Sequence, residues 1–444
     1  MAEKTVLADA SPEKRLFISL ITRDISLVDA FLDIIDNSIN AALEPLAADL
    51  KTADDYQRIA SSKAKPKVKI EIEIKPTRIV VKDNASGISL ATATDHVFKF
   101  GRGDDDGSET ADRLSVYGIG LKRAMFKCGN RIEIVSDHRQ GGFELDLNVR
   151  QWAKNKQEPW QFEITPRTAK KTNCGTKIEI SELYDDVQRR VKDGLFVQQL
   201  QDRIARTYTF FLGRVVDIFL NGSPVPGEPF EIGANYTSEK FKSGEVTCNV
   251  TAGIAATAGE TFRDRNAGWF VFCNGRAVFF GDKTSLTGWG VTLPIFQPKH
   301  RPFLGTVFFV SANPEALPWT TTKASVNEDS TVWQEAKRRM TTVGRVVITF
   351  LDRRYTDDGT EVASADVQSA SGAKVSVLKA AASEQRAFKP PTKPAPKEMR
   401  IQYSAKIADI KKIATYLRKP NMGGSEVGRY TFNYFLKNEV GEDE

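Results

Sequence analysis

Carboxylates and amides gathered on one stretch of helix are the first residues here that could do chemistry. In LVDAFLDIIDNSINAAL (27–43), Val28, Phe31, Leu32, Ile35, Ile39 and Ala42 recur at helical spacing and make an apolar stripe. Opposite them run Asp29, Asp33, Asp36, Asn37 and Asn40. Asp33 and Asn37 stand one turn apart, so a carboxylate and an amide oxygen face one point. That pairing suits a proton acceptor beside a hard-cation ligand, and it equally suits the solvated face of an amphipathic helix. Two glycine-bearing elements follow. Asp83-Asn84-Ala85-Ser86-Gly87-Ile88 ends an apolar run with an acid and turns on a glycine. Tyr117-Gly118-Ile119-Gly120-Leu121-Lys122 opens a helix, where glycines let backbone N–H groups and the helix N-terminus approach phosphates. Gly175-Thr176 begins a later strand.

The elements that must hold these groups are legible as alternation. KVKIEIEI (67–74) and RIVVKD (78–83) read as a hairpin turning on Lys75-Pro76-Thr77. RIEIVSD (131–137), FELDLNV (143–149) and TKIEISEL (176–183) extend the sheet. Between them, KFGRGDDDGSETADRLSVYG (99–118) is rich in Gly and Asp and too long for a plain connector. Across all 444 residues, 63 basic against 57 acidic side chains leave a net charge of +6, which permits a nucleic-acid partner without arguing for one. Four cysteines without a CxxC and three scattered histidines exclude a zinc ribbon, a disulfide framework and a His-rich metal site. Neither a membrane-length apolar run nor a signal-peptide core is present, so a reduced, cytoplasmic protein with no membrane partner is expected.

Taken in order, these motifs resemble the Bergerat fold of the GHKL ATPases. That group holds gyrase B subunits, MutL mismatch-repair proteins, MORC ATPases, ninety-kilodalton heat-shock chaperones and histidine kinases. The resemblance covers residues 1–182 and implies an α+β fold, an α/β sandwich that binds ATP and Mg²⁺. It implies that Asn37 coordinates the metal, Asp83 accepts the adenine amino group with the Thr176 hydroxyl in support, and Gly87 leaves room for the purine. Tyr117, Gly118, Ile119, Gly120 and Leu121 would bed the phosphates, with Lys122 as an added cation, and 99–117 would be the lid. Two departures stand out: Asp33 replaces the usual glutamate base, which favours slow hydrolysis or binding alone, and Ala85 replaces a common glycine. With no histidine in residues 1–26, the likeness is to the MORC and MutL branch, in which an arm (10–26) helps two protomers pair.

Beyond 182 the sequence opens with a helix, then VDIFLNGSPV, a strand and an Asn-Gly turn. Two further strand candidates are GWFVFCNGRAVFF (268–280) and GTVFFVSA (305–312), and a charged helix from Val332 to Arg354 closes the region. Residues 183–356 resemble the transducer domain, of ribosomal-S5-domain-2-like fold, in which a lysine reaches the γ-phosphate. Pro318-Trp319-Thr320-Thr321-Thr322-Lys323 resembles the MutL loop that carries it, which makes Lys323 the candidate beside Asp33 for catalysis. Residues 357–400 read as a basic Ala/Lys/Pro linker and 401–444 as a small docking module. The resemblance implies an ATP-gated homodimer. Its target is DNA if Lys337, Arg338, Arg339, Arg345, Arg353 and Arg354, with the linker, form a phosphate-binding face. It is a protein partner if the aromatic C-terminal module does the docking.

Overall fold

Pro76 and Thr77 alone separate two alternating segments, and the chain reverses there. Val68–Lys75 (β1) pairs antiparallel with Arg78–Asp83 (β2), Lys75 opposite Arg78. Ile70, Ile72 and Ile74 turn inward while Lys69, Glu71 and Lys75 face solvent, the pattern of a sheet buried on one face. The structure, a computed structural model, describes residues 12–100, 113–114, 118–155, 160–256, 266–353, 372–383, 386–389 and 401–441. Most of the expected lid, Tyr117, Arg354 and most of the basic linker lie outside them. Gly129–Asp137 (β3), Gly142–Asn148 (β4) and Gly175–Leu183 (β6) complete the segments expected from alternation, and Ile164–Arg167 (β5) is a further strand that the sequence reading did not place. Lys14–Arg23 (α1), Leu27–Leu43 (α2), Ala53–Ala60 (α3) and Gly120–Cys128 (α4) belong to the same part of the chain, and α2 packs on both α4 and β1.

This sheet does not stop at residue 183, where the sequence suggested a boundary. After Asp185–Lys192 (α5) and Gly194–Thr207 (α6), Val216–Leu220 (β7) adds in parallel to β1, and Ser223–Pro224 (β8) closes the edge. The final order is β5-β4-β3-β6-β2-β1-β7-β8. Asn221 and Gly222 sit at φ 48° and 80°, the left-handed pair that a two-residue hairpin needs.

A second sheet runs β12-β11-β13-β10-β9-β14. Its strands are Glu231–Ser243 (β9), Val246–Ala255 (β10), Gly268–Cys273 (β11), Arg276–Asp282 (β12), Phe303–Val310 (β13) and Lys374–Ser376 (β14). The segment 268–280, which reads as one strand in sequence, is split by a second left-handed pair, Asn274 and Gly275 at φ 49° and 80°. Every residue of β11 and β13 is buried, as strands covered on both faces must be. Thr331–Asp352 (α7) packs against β9, β10 and β13. Part of the expected linker lies among the described residues: β14 pairs with β9, and Val377–Ala382 (α8) buries Val377, Leu378, Ala380 and Ala381 against β9 and α3. Its alanines are small enough to let that short helix lie close.

Both sheets share one apolar core, and the chain divides into two units, Met1–Pro391 and Thr392–Glu444. The second unit contains Ile407–Tyr416 (α9) and Gly424–Phe435 (α10), helices that bury Ala414 and Val427 and leave Tyr416, Tyr430, Phe432, Tyr434 and Phe435 exposed. Among the described residues no helix is long and apolar enough to cross a membrane.

Phe308 joins the second sheet to α3 and to the segment between α6 and β7. Its ring lies 5.6 Å from Tyr56 of α3, 6.0 Å from Phe210 and 5.8 Å from Phe272. Phe308→Ala is expected to cost about 3–5 kcal/mol of unfolding free energy. A urea titration would read this as a lower midpoint, and an unchanged midpoint would contradict the shared core.

Candidate functional site

Ser26 starts α2 by accepting the Asp29 N–H at 3.0 Å, and this cap sets the phase of everything after it. The polar stripe that follows is not a solvated face. Asp33, Asp36 and Asn40 are 2%, 1% and 5% exposed. Asn37 is half-buried and donates its amide nitrogen to the Asp33 carbonyl at 2.9 Å, so the amide oxygen is the atom that could accept a hydrogen bond or ligate a cation.

Two acids one turn apart inside a protein need cations, and three arrive. Arg123, in the first turns of α4, donates Nε and Nη2 to Asp33 Oδ2 at 3.1 and 2.5 Å. Arg276, at the start of β12, donates Nε to Asp36 Oδ1 and Oδ2 at 2.9 and 3.1 Å. Lys323 places Nζ 2.7 Å from Asp36 Oδ2 and 3.9 Å from Asp33 Oδ1. The Tyr208 hydroxyl donates to Asp36 Oδ1 at 2.7 Å and to the Leu32 carbonyl at 3.0 Å. Burial pushes the Asp36 carboxyl up, but Arg276 and Lys323 outweigh it and hold the group below its ordinary range. For Asp33 burial wins over Lys323 and Arg123, and its pKa is raised. Lys323 sits at φ 53°, a left-handed conformation uncommon for a side-chain-bearing residue, so its loop is shaped by tertiary contacts. Arg276 Nη1 supplies one of them, donating to the Lys323 carbonyl at 2.9 Å.

The glycine-rich turn stands beside these acids. Gly118 has φ 61° with open space where a Cβ would point, and Ile119 caps α4. A Cβ on Gly120 would lie 3.3 Å from the Asp33 carboxyl carbon, a tight approach that would press the acid back by a few tenths of an ångström. Leu121 is buried behind them. The first N–H groups of any helix lack intrahelical acceptors, so this end could bed an anion.

Ser38, next to Asn37, links α2 to the second cluster. Its hydroxyl donates to Asp83 Oδ2 at 2.8 Å, while the Ala85 and Thr176 N–H groups donate to Oδ1 at 3.0 and 3.3 Å. Burial raises the Asp83 pKa despite these bonds. Three of the residues singled out in the sequence stand as follows. Thr176 reaches Asp83 with its backbone, because its hydroxyl lies 3.2 Å from that of Ser136. Gly87 serves close packing: at φ 72°, a Cβ there would lie 2.1 Å from the Asp137 carbonyl oxygen. Lys122 does not turn toward the glycine-rich bed. It donates Nζ to the Val97 and Lys99 carbonyls at 2.6 and 2.5 Å, and burial lowers its pKa to about 8. Ala85 keeps an ordinary φ, so the missing glycine costs nothing there.

The described ends of the glycine- and aspartate-rich segment are both anchored. On one side, Lys122 holds 97–99, and Phe100 packs edge-on against Phe17 and Trp160. On the other, Asn40 Oδ1 accepts the Arg113 and Leu114 N–H groups at 3.1 and 2.8 Å, and Asn274 donates to the Arg113 carbonyl at 2.9 Å. Sequence reasoning assigned no role to Arg123, Arg276, Tyr208 or Ser38. Arg123 and Ser38 each adjoin a motif residue, a usable signal. Arg276 reaches Asp36 across 240 positions and had none.

Residues 25–176 match the family model described as histidine kinase-, DNA gyrase B-, and HSP90-like ATPase. No curated protein matches the chain significantly. Among the described residues no group of three or more His, Cys, Asp or Glu side chains could hold a metal ion.

Removing Asp36 leaves Arg276 and Lys323 buried without their shared acid, so Asp36→Asn is expected to cost about 3–5 kcal/mol at pH 7. Because the folded pKa of Asp36 is depressed, its contribution is complete above the ordinary value of 3.8 and is lost as pH falls through the folded one. Urea unfolding at pH 7 and pH 3 should show the gap between wild type and variant narrowing in acid. A gap independent of pH would contradict the ionised pair.

Proposed function

From the premise that residues 25–176 form a GHKL-type ATPase domain, which binds ATP, we propose that this chain is a slow Mg-ATPase whose nucleotide state is passed to the second sheet. The observation that carries the reading is the meeting of Lys323 with Asp33 and Asp36, a loop of the second sheet against the acid-bearing helix. The second sheet and α7 then act as the transducer.

In this reading Asp83 accepts the adenine amino group, its buried carboxylate held by Ser38, Ala85 and Thr176. The phosphates lie on the N–H groups from Gly118 to Lys122. The amide oxygen of Asn37 fits a hard cation, and bound Mg²⁺ would offset triphosphate charge there. Asp33 takes a proton from the water that attacks the terminal phosphorus. The bond to the bridging oxygen breaks, and ADP and phosphate leave. Two features support slow turnover: Asp33 is one methylene shorter than a glutamate base, and Arg123 occupies one of its oxygens. Lys323 favours ATP over ADP by meeting the terminal phosphate. The exposed Leu16 and Leu20 of α1 support the expectation that the N-terminal arm pairs two protomers on ATP.

For the target of the switch, the charges of α7 favour a protein partner over DNA. Arg338 and Arg339 pair with Glu335, Arg339 also with Glu239, Lys337 with Glu328, and Arg345 donates to the Thr292 carbonyl. A helix face so neutralised offers little for phosphate. The exposed aromatic side chains of α10 suit a protein surface.

Fluorescent-nucleotide binding and phosphate release test the site together. Asp33→Asn should retain ATP binding and lose turnover by about 100-fold or more. Asn37→Ala should weaken Mg-ATP binding, and Asp83→Ala should abolish it. Wild-type behaviour in all three would sink the site. The same assay with duplex and single-stranded DNA at two salt concentrations separates the targets: salt-sensitive stimulation would restore the DNA reading.

A further inference from the structure

The cation that the sequence reading assigned to Lys122 is missing from the glycine-rich bed, and another side chain stands in a position to take its place. Arg123 lies one residue on, in the same helix start, and is 4% exposed. Its guanidinium grips Asp33 Oδ2 through two N–H groups while Nη2 also donates to the Thr321 carbonyl at 3.2 Å. Asp33 itself lies against Gly120, so the guanidinium is one group removed from where the phosphates are expected. The cluster is also unbalanced. Arg123, Arg276 and Lys323 carry three positive charges against two on Asp33 and Asp36, and all five side chains are buried. Excess positive charge out of water is costly until an anion arrives.

We propose that Arg123 is a catalytic residue that exchanges its guanidinium between Asp33 and the terminal phosphate of ATP. The inference rests on the nucleotide site proposed above. With no terminal phosphate in place, Arg123 satisfies Asp33 and ties the Thr321 carbonyl, two residues before Lys323, to α4. A terminal phosphate is a stronger partner for the planar fork, since it offers more charge and paired oxygens. Once the fork has moved, Asp33 regains the lone pairs that a proton acceptor needs, and the Thr321 carbonyl loses its tie. Arg276 cannot make the same exchange, because both oxygens of Asp36 and the carbonyls of Lys323 and Ala277 hold it. Freeing the base is thereby coupled to the presence of the group to be cleaved, and ADP leaves the fork on Asp33.

The test is the ratio of ATP to ADP affinity, measured by calorimetry with Mg²⁺ on the full chain. Wild type, Arg123→Met, Asp33→Asn and the double variant form a cycle. Arg123→Met is expected to weaken ATP by about tenfold or more while changing ADP less than about twofold. Asp33→Asn removes the competing acid and should raise the ratio several-fold, and the double variant should lose that gain. Arg123→Lys keeps the charge without the fork and should restore only part of the ratio. Equal losses for ATP and ADP in Arg123→Met, or a gain in Asp33→Asn that survives in the double variant, would overturn the proposal and leave the nucleotide site standing. A wild type that binds neither nucleotide would overturn both. Should Arg123→Met fail to fold, Arg123→Lys takes its place in the cycle, and a ratio there equal to wild type would overturn the proposal.

Discussion

Everything in the first unit turns on two carboxylates that helix α2 carries inward. Asp33 and Asp36 have left water, and each is tenable only because a cation from elsewhere meets it: Arg123 from α4, Arg276 from β12, Lys323 from the loop after β13. Such a cluster adds little net stability over an apolar one, because desolvation consumes most of the attraction. Its effect is on specificity of arrangement. A misdocked second sheet would strand Arg276 or Asp36 without a partner, and that penalty is several times larger than the gain from forming the pair.

That requirement explains why the two sheets share a core. Tyr56, Phe210, Phe272 and Phe308 supply the apolar contact, and the charges supply its register. The same docking places Asn274, at the tight turn between β11 and β12, on the carbonyl of Arg113, so the end of the long Gly/Asp-rich segment is held from both α2 and the second sheet. Site and interface are one construction. A change in what the acids bind therefore alters the contacts of Lys323 and Thr321 directly, without any long relay.

The nucleotide-site motifs were readable because each depends on local geometry. A helix stripe, a strand ending in an acid, and a glycine at a helix start are all visible at spacings of a few residues, and α2, β1, β2, β3, β4, β6 and α4 appear where alternation and spacing place them. The reading failed where two neighbours in sequence have different neighbours in space. Lys122 and Arg123 differ by one position and about 100° of helix rotation. That rotation sends one ammonium to the Val97 and Lys99 carbonyls and the next guanidinium to Asp33. Thr176 adds a contact the sequence did not indicate: its backbone N–H donates to Asp83 because the strand runs past the acid. The split of 268–280 at Asn274-Gly275 was signalled by the dipeptide itself, which apolar residues on both sides obscured.

By itself the sequence determined which residues could make a nucleotide site and in what order the elements carrying them occur, since propensity, periodicity and turn chemistry are properties of short segments. Only the tertiary structure decided that β7 extends the first sheet, that Arg276 reaches Asp36, and that Arg123 faces Asp33 where Lys122 does not. The physical reason is that a buried charge chooses its partner by proximity after packing, and packing brings together residues whose separation along the chain carries no trace of their distance in space.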